Sequence, residues 1–238
     1  MPVDTQSKSN GPLPSPWKEF LSEIDSMLKE PLKLHCIGGF VICYFYGLPR
    51  TTGDIDYYSA VPANLNLVDI AGEGSALANE YKIRLHHVAV MTMPEDYESR
   101  LTEMFPGMFK QLRLFAPDPY DYILSKLERN TSKDRDDADY VFRTQKLNSQ
   151  ALRERYQQEL RPYLAKENWH YKTLELCIEI FEACQRSPTE SCRFAPMRAR
   201  RDTEPQGRRG QLELSEASSK RPSNAFSFRY LGESCALE

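Results

Sequence analysis

The stretch CIGGFVICYFYGLPRTTGDIDYYSA, residues 36–60, decides how the rest of the chain is read. A glycine pair, Gly38-Gly39, follows the short apolar segment LKLHCI. An aromatic-rich apolar run comes next, Gly47 and Pro49 stop it, and an Arg-Thr-Thr-Gly turn leads into Asp-Ile-Asp. By composition FVICYFYGL suits strand or helix. The glycines favour helix, because such a pair after a strand lets the chain turn sharply and lets backbone amides point outward at a helix start. Gly47 and Pro49 then supply a stop signal. DIDYYSA alternates polar and apolar, as a half-exposed strand does. Asp54 and Asp56, two apart on that strand, leave one face, and Ile55 points to the other, toward a core. Two carboxylates so close repel each other, and a cation between them or one shared proton relieves the repulsion. Hard oxygen donors at this spacing suit Mg²⁺ or Mn²⁺, and such an ion can bridge to nucleotide phosphates. The Gly38 and Gly39 amides suit the same phosphates. Arg50 either neutralises the acids or reaches a phosphate. A solvated surface strand would carry a lone Asp-x-Asp equally well. The order strand, Gly-Gly, short helix, Gly-x-x-Arg-x-Thr (Arg50 and Thr52), Asp-Ile-Asp is what argues for a site.

Outward from this stretch, Trp17, Phe20, Leu21, Ile24, Met27 and Leu28 recur with the helical period before Pro31. Residues 64–81 read as mostly helical, interrupted at Gly72 and Gly74. IRLHHVAVM, residues 83–91, reads as a strand. Residues 94–105 read as a helix opened by Pro94, Glu95 and Asp96, and KQLRLFA, residues 110–116, as a fourth strand. Beyond Pro117 the pattern is helical, with helices expected over about 118–129, 133–144, 149–164 and 168–185. The expected class is α+β: a mixed sheet with flanking helices, then a helical C-terminal portion. The boundaries fall at 1–15 (polar, expected disordered), 16–116 (α/β core), 117–186 (helical) and 187–238 (expected disordered). Arg193, Arg198, Arg200, Arg201, Arg208 and Arg209 in the last segment suit a solvated tail, or contacts to nucleic acid. No internal repeat is visible.

The 238 residues carry a net charge of -3, with 40% hydrophobic and 27% charged residues. This is ordinary globular composition and implies no bulk attraction to nucleic acid or membrane. The N-terminus has no apolar segment behind a basic start, and no run approaches the roughly 18 apolar residues that span a bilayer. A soluble, cytoplasmic protein is expected. Six cysteines form no CxxC pair. Cys36, Cys43, Cys177 and Cys184 lie in apolar periodic segments and read as small buried hydrophobes.

IGGFVICYFYGLPRTTGDIDYYS resembles the signature of nucleotidyltransferase-fold proteins, the DNA polymerase beta-like superfamily. A second region, DPYDYILSKLERNTSKDRDDADYVF (residues 118–142), resembles the later motif of the bacterial DUF6036-type proteins and the AbiEii-type toxin nucleotidyltransferases. In that motif a helical Lys precedes Arg and a basic-Asp-x-x-Asp element. The resemblance spans about residues 17–185. It implies a minimal nucleotidyltransferase-type sheet, Gly38 and Gly39 as the phosphate-binding pair, and Asp54 and Asp56 as catalytic, metal-binding acids for Mg²⁺ or Mn²⁺. It implies Lys126 as a catalytic contact to nucleotide phosphate, and Arg50, Thr52 and Arg129 as further nucleotide-binding residues. Asp134 and Asp137 are one helical turn apart on one face. They orient Lys126 or Arg129, bind substrate, or simply suit a helix N-terminus.

The sequence departs from the superfamily at one point: no acid lies between Glu80 and Glu95, where active members carry a third carboxylate. His86 and His87 occupy that neighbourhood and point to opposite faces, so at most one meets the site. A neutral His can ligate a metal or act as a base. Asp134 or Asp137, reaching in from the helical portion, is the better chemical match. The resemblance implies an enzyme moving a nucleoside monophosphate from an NTP to a tRNA end, a protein side chain or a small molecule. It also suggests one half of a toxin–antitoxin or phage-defence pair, with a cognate partner protein. The alternative is a catalytically inactive module of the same fold that binds nucleotide or a partner protein.

Overall fold

The computed structural model describes residues 13–63, 66–165 and 167–186. The expected disordered tail, 187–238, and all but the last three residues of the expected N-terminal one lie outside the described residues. Of those three, Leu13 is buried, and the Pro14 carbonyl accepts from the backbone of Trp17 and Lys18.

Helix α1 (Trp17–Met27) buries Trp17, Phe20, Leu21 and Ile24, the stripe that its period requires. Strand β1 (Leu32–Ile37) runs into the glycine pair, which opens helix α2 (Gly38–Tyr44). Strand β2 (Asp54–Val61) follows. Strands β3 (Arg84–His87), β4 (Thr102–Met104) and β5 (Leu112–Ala116) complete a five-stranded sheet of order β3-β2-β1-β5-β4. β1 pairs antiparallel with β2 and parallel with β5, β2 parallel with β3, and β4 antiparallel with β5. The fold is therefore mixed α+β.

One face of the sheet is apolar. Leu34, Cys36, Ile55, Leu85 and Leu114 belong to a hydrophobic cluster that also takes in Phe20, Phe40 and Ile42 from the first two helices. Each fully buried aliphatic of this kind contributes about 2 kcal/mol. The same cluster continues through Tyr122, Val141, Phe142, Leu152 and Phe181, so the helical portion shares the core of the sheet. The opposite face carries Asp54 and Asp56 from β2, Arg84 and His86 from β3, and His35 from β1.

The remaining helices are α3 (Leu67–Ala71), α4 (Ala76–Tyr81), α5 (Pro119–Leu124), α6 (Ser132–Thr144), α7 (Ser149–Arg155) and α8 (Glu167–Arg186). Five expectations change here. The helix expected over 64–81 is two short ones, broken where Gly72 packs against the Val68 backbone too closely for a Cβ. The helix expected over 94–105 is a 3-10 turn, Tyr97–Arg100, followed by β4, so the sheet has five strands and not four. Arg100 ends that turn by pairing with buried Asp121 and with Glu159, and Leu101 then leaves extended to join the edge of β5. The strand expected over 83–91 stops at His87, and Val90 is 81% exposed. The helices expected over 118–129 and 149–164 are α5 and α7, each finishing in irregular turns; after α7, a π-helical turn (Tyr156–Leu160) and a 3-10 turn (Arg161–Tyr163) follow.

Cys36, Cys43 and Cys177 are buried free thiols, and burial pushes Cys36 up to about 12 and Cys177 to about 11. The side chain of Cys184 lies outside the described residues. Among the described residues no helix is long and apolar enough to cross a membrane.

Candidate active site

Gly38 begins the site because its φ is +67°, a left-handed conformation that side chains disfavour. Space forbids a side chain as well: a Cβ at Gly38 would lie 2.2 Å from Asp56 Oδ2, and one at Gly39 would lie 2.8 Å from Thr52 Oγ1. The glycine turn is thus closed over by the acid strand and by the turn before it. The ladder enforces this, since Ile37 at the end of β1 pairs with Asp56. Thr52 in turn donates its hydroxyl to the Asp54 carbonyl at 3.3 Å.

Asp54 and Asp56 share the open face, with Ile55 fully buried behind them. Strand β3 runs parallel beside them, with Arg84 opposite Asp54 and His86 opposite Asp56. Arg84 Nε lies 2.8 Å from Asp54 Oδ1, and its Nη1 is 3.3 Å from Glu73 Oε1. His86 Nδ1 hydrogen-bonds Asp56 Oδ1 at 2.9 Å. His87 sits on the other face, stacked on the Tyr57 ring and bonded to the Tyr58 carbonyl, so of the two histidines it is His86 that meets the acids.

The helical portion builds the second wall. Asp118 caps α5 by accepting from the Tyr120 and Asp121 amides, and Pro119 suits its first turn. On α5, the Tyr122 hydroxyl donates to the Gly38 carbonyl at 3.1 Å, and Lys126, in the turns that follow that helix, has Nζ 5.0 Å from the centre of the Tyr122 ring. Lys126 is only 8% exposed and lies 3.5 Å from both Asp134 and Asp137. Burial pushes its pKa down, against the pull of those two carboxylates.

Asp137 grips Arg50 through two hydrogen bonds, at 2.6 and 3.2 Å. Asp134 takes Arg129 at 2.8 Å and completes a capping box with Thr131 at the start of α6. Although burial opposes it, the hydrogen bonds from Arg129 and Thr131, with the charge of Lys126, pull Asp134 down to about 2. Arg129 also feels the charge of Asp56, and its own pKa is raised, chiefly by the bond to Asp134.

The structure therefore brings Gly38, Gly39, Thr52, Asp54 and Asp56 together directly. Tyr122 ties that group to Lys126, Arg50, Arg129, Asp134 and Asp137. Asp134 and Asp137 are buried among cations and do not point out as free ligands. Two participants were not foreseen, Arg84 and Tyr122. Arg84 becomes visible only once the parallel β2–β3 register sets it beside Asp54; Tyr122 had no local signal beyond its place four residues before Lys126.

A divalent ion would find two hard carboxylates on one face here, enough for Mg²⁺ or Mn²⁺ when phosphate oxygens and waters complete the shell. Among the described residues, no group of three or more His, Cys, Asp or Glu side chains is arranged to hold a metal. Neither the curated proteins nor the solved structures include a match to this chain. One family model does match, over residues 18–187, from the second residue of α1 through α8 and with both walls of the site inside it. The chain belongs to that family, described as nucleotidyltransferase of unknown function (DUF6036).

Proposed function

We propose that the protein is a metal-dependent nucleotidyltransferase that moves a nucleoside monophosphate from an NTP to an acceptor, with Asp54, Asp56 and Lys126 as its catalytic residues. The observation that carries this is the closure of Asp56 over Gly38, which leaves no room for a Cβ. Phosphate-binding backbone and acids then belong to one site, and backbone amides in such a turn suit phosphate oxygens.

In this reading Asp54 and Asp56 hold the divalent ion, whose charge offsets that developing on the transferring phosphate. Gly38, Gly39 and Thr52 line the triphosphate. Lys126, Arg50 and Arg129 supply positive charge along the same wall, oriented by Asp134 and Asp137. The acceptor oxygen attacks the α-phosphorus, the bond to the bridging oxygen of the β-phosphate breaks, and pyrophosphate leaves. The acceptor's proton passes to Asp56, which His86 supports through its hydrogen bond. A tRNA end, a protein side chain or a small molecule as acceptor, and a role in a toxin–antitoxin or phage-defence pair with a cognate protein, follow from the family resemblance. A cytoplasmic setting suits three buried cysteines kept as thiols.

One observation favours the alternative, a binding module without turnover. Both acids already have partners in the chain, Arg84 and His86, on the strand where the superfamily's third carboxylate is expected. Thermal-shift titration of the four NTPs with and without Mg²⁺ or Mn²⁺, followed by transfer of α-labelled phosphate to cell RNA and protein, separates the two. Metal-dependent stabilisation with label transfer is expected, and Asp56→Asn should abolish both. Stabilisation without transfer favours the binding module. Nucleotide binding that ignores metal and survives Asp56→Asn would refute the site.

A further inference from the structure

Arg84 is the feature that the reading above leaves without a role. Its guanidinium occupies the face of β3 beside Asp54, where a third acid would strengthen a metal site and a fixed positive charge weakens it. The contact is tight, with Nε 2.8 Å from Asp54 Oδ1. It is also open to water, with side chains 42% and 40% exposed. An ion pair of that exposure exchanges partners readily. A second anchor is already present, because Nη1 lies 3.3 Å from Glu73 Oε1, on the connection between α3 and α4. The guanidinium can leave Asp54 and keep its outer arm on Glu73.

We propose that Arg84 competes with the divalent ion for Asp54 and couples metal loading to nucleotide binding. This rests on the metal-dependent reading of the same site. Without nucleotide, Arg84 neutralises Asp54, and the ion meets only Asp56, itself hydrogen-bonded to His86, with a like charge nearby. With nucleotide, the triphosphate brings anionic oxygens that take the guanidinium, for which planar, multiply donating Arg is well suited. Asp54 is then released to the ion that arrives with the phosphates. The site so built discriminates against free metal and accepts the metal–nucleotide complex, and Arg84 becomes a phosphate-binding residue. His86 is not part of the argument, because its hydrogen bond to Asp56 leaves the Asp54 carboxylate untouched.

The test uses the full chain and Mn²⁺, read by the loss of its free-ion electron paramagnetic resonance signal. The nucleotide probes are the α,β-methylene analogues of ATP, GTP, CTP and UTP in parallel, read by calorimetry in Mn²⁺. Arg84→Gln should bind Mn²⁺ alone roughly three- to tenfold more tightly, since a competing charge is removed. It should bind the preferred Mn²⁺–nucleotide analogue roughly tenfold more weakly, since a charge-assisted contact is lost. Arg84→Lys keeps the charge and should bind Mn²⁺ alone as the parent does. Circular dichroism checks that both variants are folded.

Unchanged or weaker binding of free Mn²⁺ in Arg84→Gln overturns the proposal, as does unchanged nucleotide binding. Asp54→Asn separates its failure from that of the underlying reading. If Asp54→Asn loses Mn²⁺ while Arg84→Gln matches the parent, the competition is refuted and the metal site stands. If the parent binds no Mn²⁺ with or without nucleotide, both are refuted.

Discussion

Replacing Asp134 with Asn tests whether the buried charges of the second wall are matched as the distances imply. Asp134 is 1% exposed and accepts from Arg129 at 2.8 Å and from the Thr131 hydroxyl at 2.6 Å, with Lys126 Nζ at 3.5 Å. These partners hold its pKa at about 2, against an ordinary 3.8. A drop of this size corresponds to about 2 kcal/mol of folding free energy. Because the folded value is the lower one, this stability is fully present above pH 3.8 and is lost as pH falls through 2. Linkage leaves about half of it at pH 3 and only a small part at pH 2. Asn keeps the shape and can still accept one Thr131 bond, so the change removes mainly charge. Urea unfolding of both proteins between pH 7 and pH 2 should therefore show a stability gap that narrows by about 2 kcal/mol toward acid. At neutral pH it should appear as a loss of about 5–10 °C in Tm. A gap of constant size across that range would refute the argument, because it would mean that packing, and not the Asp134 charge, makes the contribution.

Two further substitutions separate shape from charge elsewhere. Gly38→Ala forces a Cβ to within 2.2 Å of Asp56 Oδ2 at a φ of +67°, and should cost about 1–2 kcal/mol of stability while displacing Asp56; an unchanged melting temperature would show that the glycine turn is not closed as described. Lys126→Met removes a buried ammonium whose two acids each keep another cation, Arg129 for Asp134 and Arg50 for Asp137. Stability should move by less than about 1 kcal/mol, while affinity for a metal–NTP complex falls at least about tenfold. Loss of fold with affinity retained in the folded fraction would make Lys126 structural.

The parts of this arrangement visible in the sequence are those whose geometry is local. The succession of β1, α2 and β2 is punctuated by Gly38, Gly39, Gly47 and Pro49, and the alternation of Asp54, Ile55 and Asp56 alone puts both acids on one face. Strand alternation also predicts that at most one of His86 and His87 faces the acids. Which one depends on how β3 registers against β2, a non-local fact that no window of sequence contains. The same register hides Arg84. The helix expected over 94–105 does not form because its stop comes from Arg100 meeting Asp121 and Glu159, residues far along the chain. The three-residue strand in that segment is stabilised by the ladder to β5 and not by its own period. The partners of Lys126, by contrast, were within reach, since acids one turn apart on α6 share a face whatever that face meets.

The two walls differ in how freely their charges can change partners, and the difference follows from water. Arg50, Lys126, Asp134 and Asp137 form a largely buried set in which each acid meets two cations. Removing one member of such a buried ion-paired set costs several kcal/mol unless the others compensate. That wall is fixed, and Tyr122 transmits its position to the Gly38 carbonyl. On the open face, Asp54–Arg84 and Asp56–His86 are solvent-accessible pairs, each worth at most about 1 kcal/mol. A ligand that offers either a cation to the acids or an anion to Arg84 can replace those pairs at little cost. A nucleotide carrying its divalent ion offers both at once. The fixed wall would then orient the phosphates while the open face exchanges its internal partners for the ligand's.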